Sequence, residues 1–143
     1  MTGLVPIGDA ARQSGVKVPT IRYYEQVGML PAPTRTEGGR RLYGAEHLRR
    51  LAFIRHAREL GFEVEAIRTL LASQDNPGQS CAEADRIARA HMAAVDGRIA
   101  RLTALREELQ RMVEACAQGQ VGECQVIETL ADPSHQHGRL ADD

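Results

Sequence analysis

The sequence of 143 residues predicts an all-α protein with one small β-hairpin. Only five residues are aromatic, three tyrosines and two phenylalanines, so the core must be largely aliphatic, which favours helices. Several short apolar segments with helical periodicity end at a glycine, and a much longer segment without a proline follows them. These observations exclude a large enzyme fold and indicate one or two small helical domains.

The first two helices are predicted to be short and to be joined by a tight turn. Residues 7–13 carry the first helical pattern, and Gly15 ends it because glycine adopts the left-handed conformation of a helix C-terminus without strain. Pro19 suits the start of the second helix, which continues through residues 20–27 and stops at Gly28. Two short helices on either side of a glycine turn predict a helix-turn-helix.

The segment of residues 32–43 is typical of a β-hairpin with basic arms. Gly38 and Gly39 suit its tight turn, and arginines lie on both sides of them. A hairpin that directly follows a helix-turn-helix is a wing. We expect little strand elsewhere in the chain.

Two further helices complete the first domain. Apolar residues recur with helical spacing over residues 45–60, where Gly61 ends the pattern, and a fourth helix is predicted over residues 64–71. The sequence Asp-Asn-Pro-Gly at residues 75–78 is a strong turn signal and the best domain boundary. We therefore assign residues 4–73 to a winged helix-turn-helix domain.

The longest helical pattern follows this turn. Ser80 and Glu83 match a capping box, which predicts that a helix begins at Cys81. Its apolar residues recur every three or four positions, the period of a coiled coil: Ala88, Met92, Val95, Ile99, Leu102, Leu105, Leu109 and Met112. We assign residues 80–115 to a dimerisation helix that forms an antiparallel coiled coil in a homodimer; the alternative is packing against the first domain of the same chain.

The remaining residues are predicted to form two smaller segments. Glycines after the long helix mark a loop, and residues 125–131 suit one short helical turn, so residues 116–131 form a loop and a short helix. Residues 132–143 are expected to be a flexible tail. No apolar run approaches the roughly 18 residues of a membrane span, and we expect a cytoplasmic protein without a membrane partner.

The charges divide unevenly along the chain. Residues 1–71 hold 11 Lys+Arg and 7 Asp+Glu, a net charge of +4, whereas residues 72–143 hold 7 and 12, a net charge of −5. A basic first half is typical of nucleic-acid binding, although an arginine-rich solvated face is the alternative. The predicted DNA-binding set contains residues of the second helix, the arginines after it and one tyrosine of the wing: Thr20, Arg22, Tyr23, Tyr24, Arg35, Arg40, Arg41, Tyr43 and Arg58.

Three cysteines point to a thiolate metal site. An odd number leaves at least one thiol unpaired, and cysteines in a reducing compartment rarely form a disulfide framework. Cys116 and Cys124 flank a loop that can bring both sulfurs to one ion. A continuous helix would hold Cys81 about 52 Å from Cys116. In a dimer of antiparallel helices, however, Cys81 of the partner subunit meets the other two cysteines.

Other reactive residues contribute less. His135 and His137 form an H-x-H sequence in the tail and are candidate accessory metal ligands, with a solvated tail as the alternative. No base is placed to activate a thiol or hydroxyl, so we assign no catalytic residue and predict that the protein is not an enzyme. Three unrelated apolar core cysteines are the alternative to a metal site.

Three sequence segments together resemble the MerR family of transcriptional regulators. They are TIRYYE with GML at residues 20–30, GRRLY at residues 39–43, and IRHARELGF at residues 54–62. The resemblance implies a homodimer that holds RNA polymerase inactive on a double-stranded promoter with an overlong spacer. When an effector binds, such a regulator bends and untwists the DNA so that the promoter elements align. Matching positions place these residues on the DNA: Arg22, Tyr23, Tyr24, Arg35, Arg40, Arg41 and Arg58.

The cysteines resemble those of the metal-sensing branch of this family. Cys116 and Cys124 match the pair that metal sensors share, and Cys81 matches the cysteine of divalent-ion sensors, where copper(I) sensors usually carry serine. This implies a soft divalent effector: cadmium, lead, mercury or zinc. Ala117 and Gln120 stand where zinc sensors often have further ligands, which favours the heavier ions.

Charge supports the divalent assignment. Three thiolates around a divalent ion leave one negative charge, whereas three around copper(I) leave two in a partly dry site. Two alternatives are kept. One is a copper(I) sensor of the same family in which Cys81 takes no part, and the other is a metal-free redox switch that forms a disulfide between Cys116 and Cys124.

Overall fold

The computed structural model describes residues 3–116 and 119–140. The described residues form these elements in chain order: β1 (Val5–Pro6), α1 (Ile7–Ser14), α2 (Val18–Gln26), β2 (Thr34–Arg35), β3 (Arg41–Tyr43), α3 (Ala45–Glu59), α4 (Val64–Gln74), α5 (Ala82–Ala115), a 3-10 turn (Val121–Glu123) and α6 (Gln125–Ala131). The predicted mostly helical fold with a β wing is thus confirmed. Ala117 and the last three residues of the predicted tail lie outside the described residues.

The C-terminal end of α1 and the start of α2 lie where the glycine and proline in the sequence predict them. Gly15 has a φ of 75°, and its N–H donates to the Ala11 carbonyl at 2.9 Å, which closes α1 as predicted. Pro19 lies in the first turn of α2, where its missing N–H costs no helical hydrogen bond. The fourth helix, α4, extends to Gln74 and is longer than the predicted segment, which ended at residue 71.

The sheet contains a strand that the sequence did not predict. Its order is β1-β3-β2, and both pairings are antiparallel, with Val5 opposite Tyr43 and Thr34 opposite Leu42. Strand β1 has only two residues, so no alternation of apolar and polar residues reveals it. Its proline is tolerated because β1 lies at the edge of the sheet.

The first compact unit extends to Ile87, and the second begins at Ala88. The core of the first unit is mainly aliphatic, as expected, but it includes one complete tyrosine ring. Its largest side chains are less than 2 % exposed: Tyr43, Ile21, Met29, Leu51, Ile54, Ile67 and Leu71. This core joins α2, α3, α4 and the wing, and it holds α2 in place.

Arg50 of α3 connects the C-terminal end of α4 to the segment that follows α2. Its Nε donates to the Met29 carbonyl at 2.9 Å, and its Nη1 donates to Asp75 Oδ1 at 2.9 Å. Asp75 caps α4, whereas Met29 lies just after α2. The side chain of Arg50 therefore fixes the chain segment that leads towards α5.

Helix α5 begins one residue later than the capping box predicts. It starts at Ala82 rather than Cys81, because the Cys81 carbonyl accepts the first helical hydrogen bond, from the Asp85 N–H at 2.9 Å; Ser80 Oγ accepts from the Ala82 N–H at 3.2 Å. Glu83 pairs with Arg86 on its own helix. From Ala82 the helix continues for 34 residues, so its length is about 51 Å.

The apolar stripe of α5 is exposed along most of its length. Met92 is 57 % exposed and Ile99 is 56 % exposed, whereas Met112 near the helix end is buried. The residues that line an apolar hollow beside Met112 include Leu109 of α5, Leu130 of α6 and Leu140 of the tail. No helix among the described residues is long and apolar enough to cross a membrane.

Candidate DNA-binding surface and thiol site

Helix α2 presents a buried side and an exposed side. Ile21 is fully buried and Tyr24 nearly so, whereas Arg22 is exposed and Tyr23 retains 46 % of its accessible surface. The rings of the two tyrosines lie 5.9 Å apart and tilted. The buried pair fixes the rotation of α2, and Arg22 and Tyr23 are thereby placed on its outer surface.

A partly buried carboxylate connects α2 to the wing. Glu25 Oε1 accepts a hydrogen bond from the Tyr43 hydroxyl at 2.8 Å, and Glu25 Oε2 lies 3.4 Å from Arg41 Nε. Burial, followed by the hydrogen bond to Glu25, raises the pKa of Tyr43 well above its usual range. The phenol therefore stays protonated and remains a donor to this carboxylate.

The position of Tyr43 corrects one part of the predicted DNA-binding set. Its ring is 0 % exposed, so it makes no contact with a duplex at the surface of this fold. Pairing with Val5 of β1 turns the tyrosine towards the core, and that strand was absent from the prediction. Tyr43 instead holds Glu25, which in turn contacts Arg41.

Two exposed arginines of the wing, Arg35 and Arg40, take part in the hydrogen bonds of its turn. Arg35 Nη1 donates to the Gly39 carbonyl at 2.8 Å, across the turn of the hairpin. Thr36 Oγ1 accepts from the Arg40 N–H at 3.1 Å, which closes the same turn, and the Arg40 side chain is exposed. Gly39 has a φ of 83°, a conformation that favours glycine.

An open hollow of about 360 Å³ brings Arg58 of α3 together with two predicted residues of α2, Thr20 and Tyr24. Lys17 and Arg55, which the sequence analysis did not include, also line it. Arg55 precedes Arg58 by three residues, so helical spacing alone would have placed both on one face of α3. Burial raises the pKa of Tyr24, whose hydroxyl stays protonated as well.

The two cysteines around the short loop lie close together. Cys116 follows α5, Cys124 precedes α6, and their Sγ atoms are 3.8 Å apart. Hydrogen bonds from the backbone N–H groups of Ile127 and Val126, together with Cys116, lower the pKa of Cys124. A lowered thiol pKa increases the fraction of thiolate, which is the form that binds metal.

Cys81 is exposed just before α5, and 34 helical residues separate it from Cys116. Over residues 3–116 and 119–140, no three Cys, His, Asp or Glu side chains are gathered closely enough to bind a metal ion. One chain therefore brings together two of the three predicted thiol ligands.

The tail histidines are held by other groups. His135 Nε2 contacts Glu108 Oε1 of α5, and His137 Nδ1 contacts the Gly138 carbonyl at 2.7 Å. The two rings are 5.6 Å apart. His135 lines a small hollow together with Ala115 and Gln125, the residues next to the two cysteines, so part of the predicted flexible tail lies against α5 near the thiol pair.

Two family profiles match this chain. The profile described as "MerR HTH family regulatory protein" matches residues 5–74, and the profile described as "MerR, DNA binding" matches residues 48–112. The first covers the helix-turn-helix, the wing and α4, and the second extends along most of α5. Both the residues of the candidate DNA-binding surface and the exposed apolar stripe therefore lie within matched segments.

Individual proteins show the same similarity. The HTH-type transcriptional regulator ZntR of Escherichia coli K12 is 45 % identical over 111 residues, 77 % of this chain and 79 % of that protein. Heavy metal-dependent transcription regulator 2 of Rhizobium meliloti is 35 % identical over 130 residues, 91 % and 88 % of the two chains. The lead(II) complex of the regulator PbrR691 from Ralstonia metallidurans is 37 % identical, with a TM-score of 0.76, and the match covers 89 % of this chain and 99 % of that one.

Proposed function

Because the chain belongs to the MerR family of transcriptional regulators, which are not enzymes, we propose that it switches a promoter in response to a soft divalent metal ion. The effector is cadmium, lead or mercury, with zinc the less favoured member of this group. The pair of sulfur atoms 3.8 Å apart is the observation that carries this proposal.

The separation of the two sulfur atoms allows one ion to bind both of them. Two thiolates at about 2.3 Å from one ion lie at most about 4.6 Å apart, and these sulfurs are 3.8 Å apart. The preference for a divalent ion over copper(I) comes from charge, because three thiolates around a divalent ion leave one negative charge, whereas three around copper(I) leave two.

The third thiolate in this proposal comes from a homodimer. The exposed stripe of α5 needs a partner helix, and an antiparallel copy of α5 would cover it. That pairing brings Cys81 of the partner subunit to the end of α5 where Cys116 and Cys124 lie. His135 and His137 remain candidate accessory ligands, because His135 lines a hollow beside this pair.

The relatives support a metal effector. PbrR691 was crystallised with lead(II), and the relative from Rhizobium meliloti is named as heavy metal-dependent. In this chain, soft thiolate sulfur would bind such ions and reject magnesium or manganese.

The proposed DNA contacts lie in the first unit. They comprise the earlier predicted set without Tyr43: Thr20, Arg22, Tyr23, Tyr24, Arg35, Arg40, Arg41 and Arg58. A duplex held by both copies of this surface would be distorted when metal binding reorients α5. RNA polymerase bound to the same promoter would then begin transcription.

In vitro transcription from a promoter that the full-length protein binds tests the proposal. The purified protein and RNA polymerase are assayed with cadmium, lead, mercury, zinc or copper(I), each at one constant concentration of a non-thiol reductant. We expect activation by the heavy divalent ions and reversal by a chelator. A separate assay replaces metal and reductant with an oxidant. Activation by copper(I) alone, or by the oxidant without metal, would reject the proposed effector.

A further inference from the structure

The hollow between α2 and α3 has the composition of an anion site. Lys17, Arg55 and Arg58 place three cations around about 360 Å³, and Glu59 contributes one carboxylate, so the net charge of the lining is +2. Thr20 and Tyr24 add hydroxyl groups to the same lining. Cations and hydroxyl donors around one hollow suit a phosphate group better than a neutral or cationic ligand.

Arg55 is held at this place by the turn between α1 and α2. A Cβ atom built at Gly15 would lie 3.5 Å from Arg55 Cδ, so the aliphatic stem of Arg55 lies against the glycine. Gly15 also has a φ of 75°, which disfavours any larger residue there. Arg55 therefore projects from a packed helix, α3, and its stem is supported by the turn at Gly15.

The hydrogen bonds of Arg55 are incomplete among the described residues. Its Nη1 lies 3.4 Å from Glu59 Oε2, whereas its Nε is buried and has no acceptor in that part of the chain. A buried donor without an acceptor is unfavourable unless a water molecule or a ligand accepts its hydrogen bond. Arg58 uses one of its donors on the Phe62 carbonyl at 3.1 Å, and a guanidinium has five.

We propose that this hollow binds one backbone phosphate of the DNA duplex and that Lys17 and Arg55 are DNA-binding residues. The inference rests on the proposed DNA-binding surface, because Thr20, Tyr24 and Arg58 of that surface line the hollow. Lys17 directly precedes α2. The outer side of this helix carries Arg22 and Tyr23, which are proposed to enter a groove of the DNA. A phosphate at the start of α2 would set how far this helix enters the groove.

The proposed phosphate site predicts that removal of the Glu59 carboxylate raises the affinity for DNA. Glu59 repels a phosphate and competes with it for Arg55. Arg55→Gln and Lys17→Gln should each weaken duplex binding and lower the slope of log affinity against log salt by about one. Glu59→Gln should instead tighten binding, because it removes repulsion and frees the guanidinium.

The test uses the full-length protein and a duplex selected by it from a random-sequence pool. Fluorescence anisotropy measures affinity from about 50 to 200 mM salt for the wild type and the three variants. Arg12→Gln is the matched control, since this arginine on α1 is exposed and does not line the hollow. Circular dichroism establishes that each variant is folded, and Lys17→Gln, at an exposed position, keeps the test decisive if Arg55→Gln does not fold.

Duplexes with a single neutral methylphosphonate identify the phosphate itself. We expect one position per half-site whose neutralisation weakens binding by the wild type but has no further effect on Arg55→Gln or Lys17→Gln. Salt slopes equal to that of Arg12→Gln, or additive losses at every phosphate position, would overturn the phosphate site. Failure of the wild type to select any duplex would instead reject the DNA-binding function on which it rests.

Discussion

Glu25 joins α2 to the wing through its two carboxylate oxygens. One oxygen accepts from Tyr43 at 2.8 Å, and the other lies 3.4 Å from Arg41 Nε. The carboxylate is only 11 % exposed, so removal of one partner leaves a largely desolvated oxygen unsatisfied. Tyr43 is therefore expected to act on stability and on the orientation of Arg41 rather than on DNA directly.

The variant Tyr43→Phe tests this role. It should lower the free energy of unfolding by about 1–3 kcal/mol, because the Glu25 oxygen loses its donor inside the fold. Tyr23→Phe on the outer side of α2 is the control and should change stability by less than about 0.5 kcal/mol. Urea unfolding measures both, and equal effects of the two substitutions would contradict the assigned role of Tyr43.

Arg22 provides a second test at the residue scale. Its exposed side chain on α2 is proposed to contact the duplex, so Arg22→Ala should weaken binding to a selected duplex. If the contact is to a phosphate, the salt slope should also fall by about one. Metal affinity should be unchanged. Arg98→Ala on α5 serves as a control, and an anisotropy titration that finds equal affinities would remove Arg22 from the interface.

Helix α5 exposes apolar residues that an isolated chain would be expected to bury. Its apolar residues recur with a coiled-coil period, yet Met92, Ile99 and Leu102 are each about half exposed. Near the C-terminal end, Met112 is buried and lines an apolar hollow with residues of α6 and the tail. We therefore expect the dimer seam to occupy mainly the part of α5 from Met92 to Leu102.

Charge placed in this seam should dissociate the dimer. The double variant Ile99→Glu/Leu102→Glu would bury like charges between two copies of α5, an arrangement that costs several kcal/mol. The double variant Ala93→Glu/Ala100→Glu adds the same charge to exposed positions outside the stripe. Light scattering should find a monomer for the first variant and a dimer for the second. A stable dimer in both would mean that α5 is not the interface.

At the scale of the whole molecule, the proposed metal site takes its three thiols from two chains. The sulfurs of Cys116 and Cys124 lie 3.8 Å apart, whereas Cys81 precedes a helix of 34 residues that Cys116 follows. The proposed antiparallel dimer would build two identical sites, each with one thiol from one subunit and two from the other. A heterodimer of two different cysteine variants therefore tests whether each site takes thiols from both subunits.

A Cys81→Ser chain and a Cys116→Ser/Cys124→Ser chain should complement each other. Their heterodimer would keep one complete site of three thiols, and its other site would have none. Cadmium titration of tandem-purified heterodimers, followed by thiolate charge-transfer absorbance, should give one tight site. Homodimers of either mutant should have only weak sites. A heterodimer with no tight site, beside a wild-type dimer with two, would show that each ion is held within one chain.

Much of the fold could be predicted from local sequence because its causes are local. Glycines at residues 15 and 61 end helices by adopting positive φ angles. The helical period of α5 is evident from the spacing of its own apolar residues. The pairing of Cys116 with Cys124 was likewise predictable, since only a short loop separates them. Segments of this kind need no distant partner to define their conformation or the proximity of their ends.

Only the tertiary structure decided which side chains are buried and which distant residues share a surface. Strand β1 pairs with β3 across the first unit, and Tyr43 is consequently buried instead of facing DNA. Lys17 and Arg55 line the same hollow because α2 and the glycine turn before it pack against α3. Burial depends on contacts between segments far apart in the chain, whereas helix period and helix ends depend on neighbouring residues, so the sequence determined the elements and packing determined the surfaces they form.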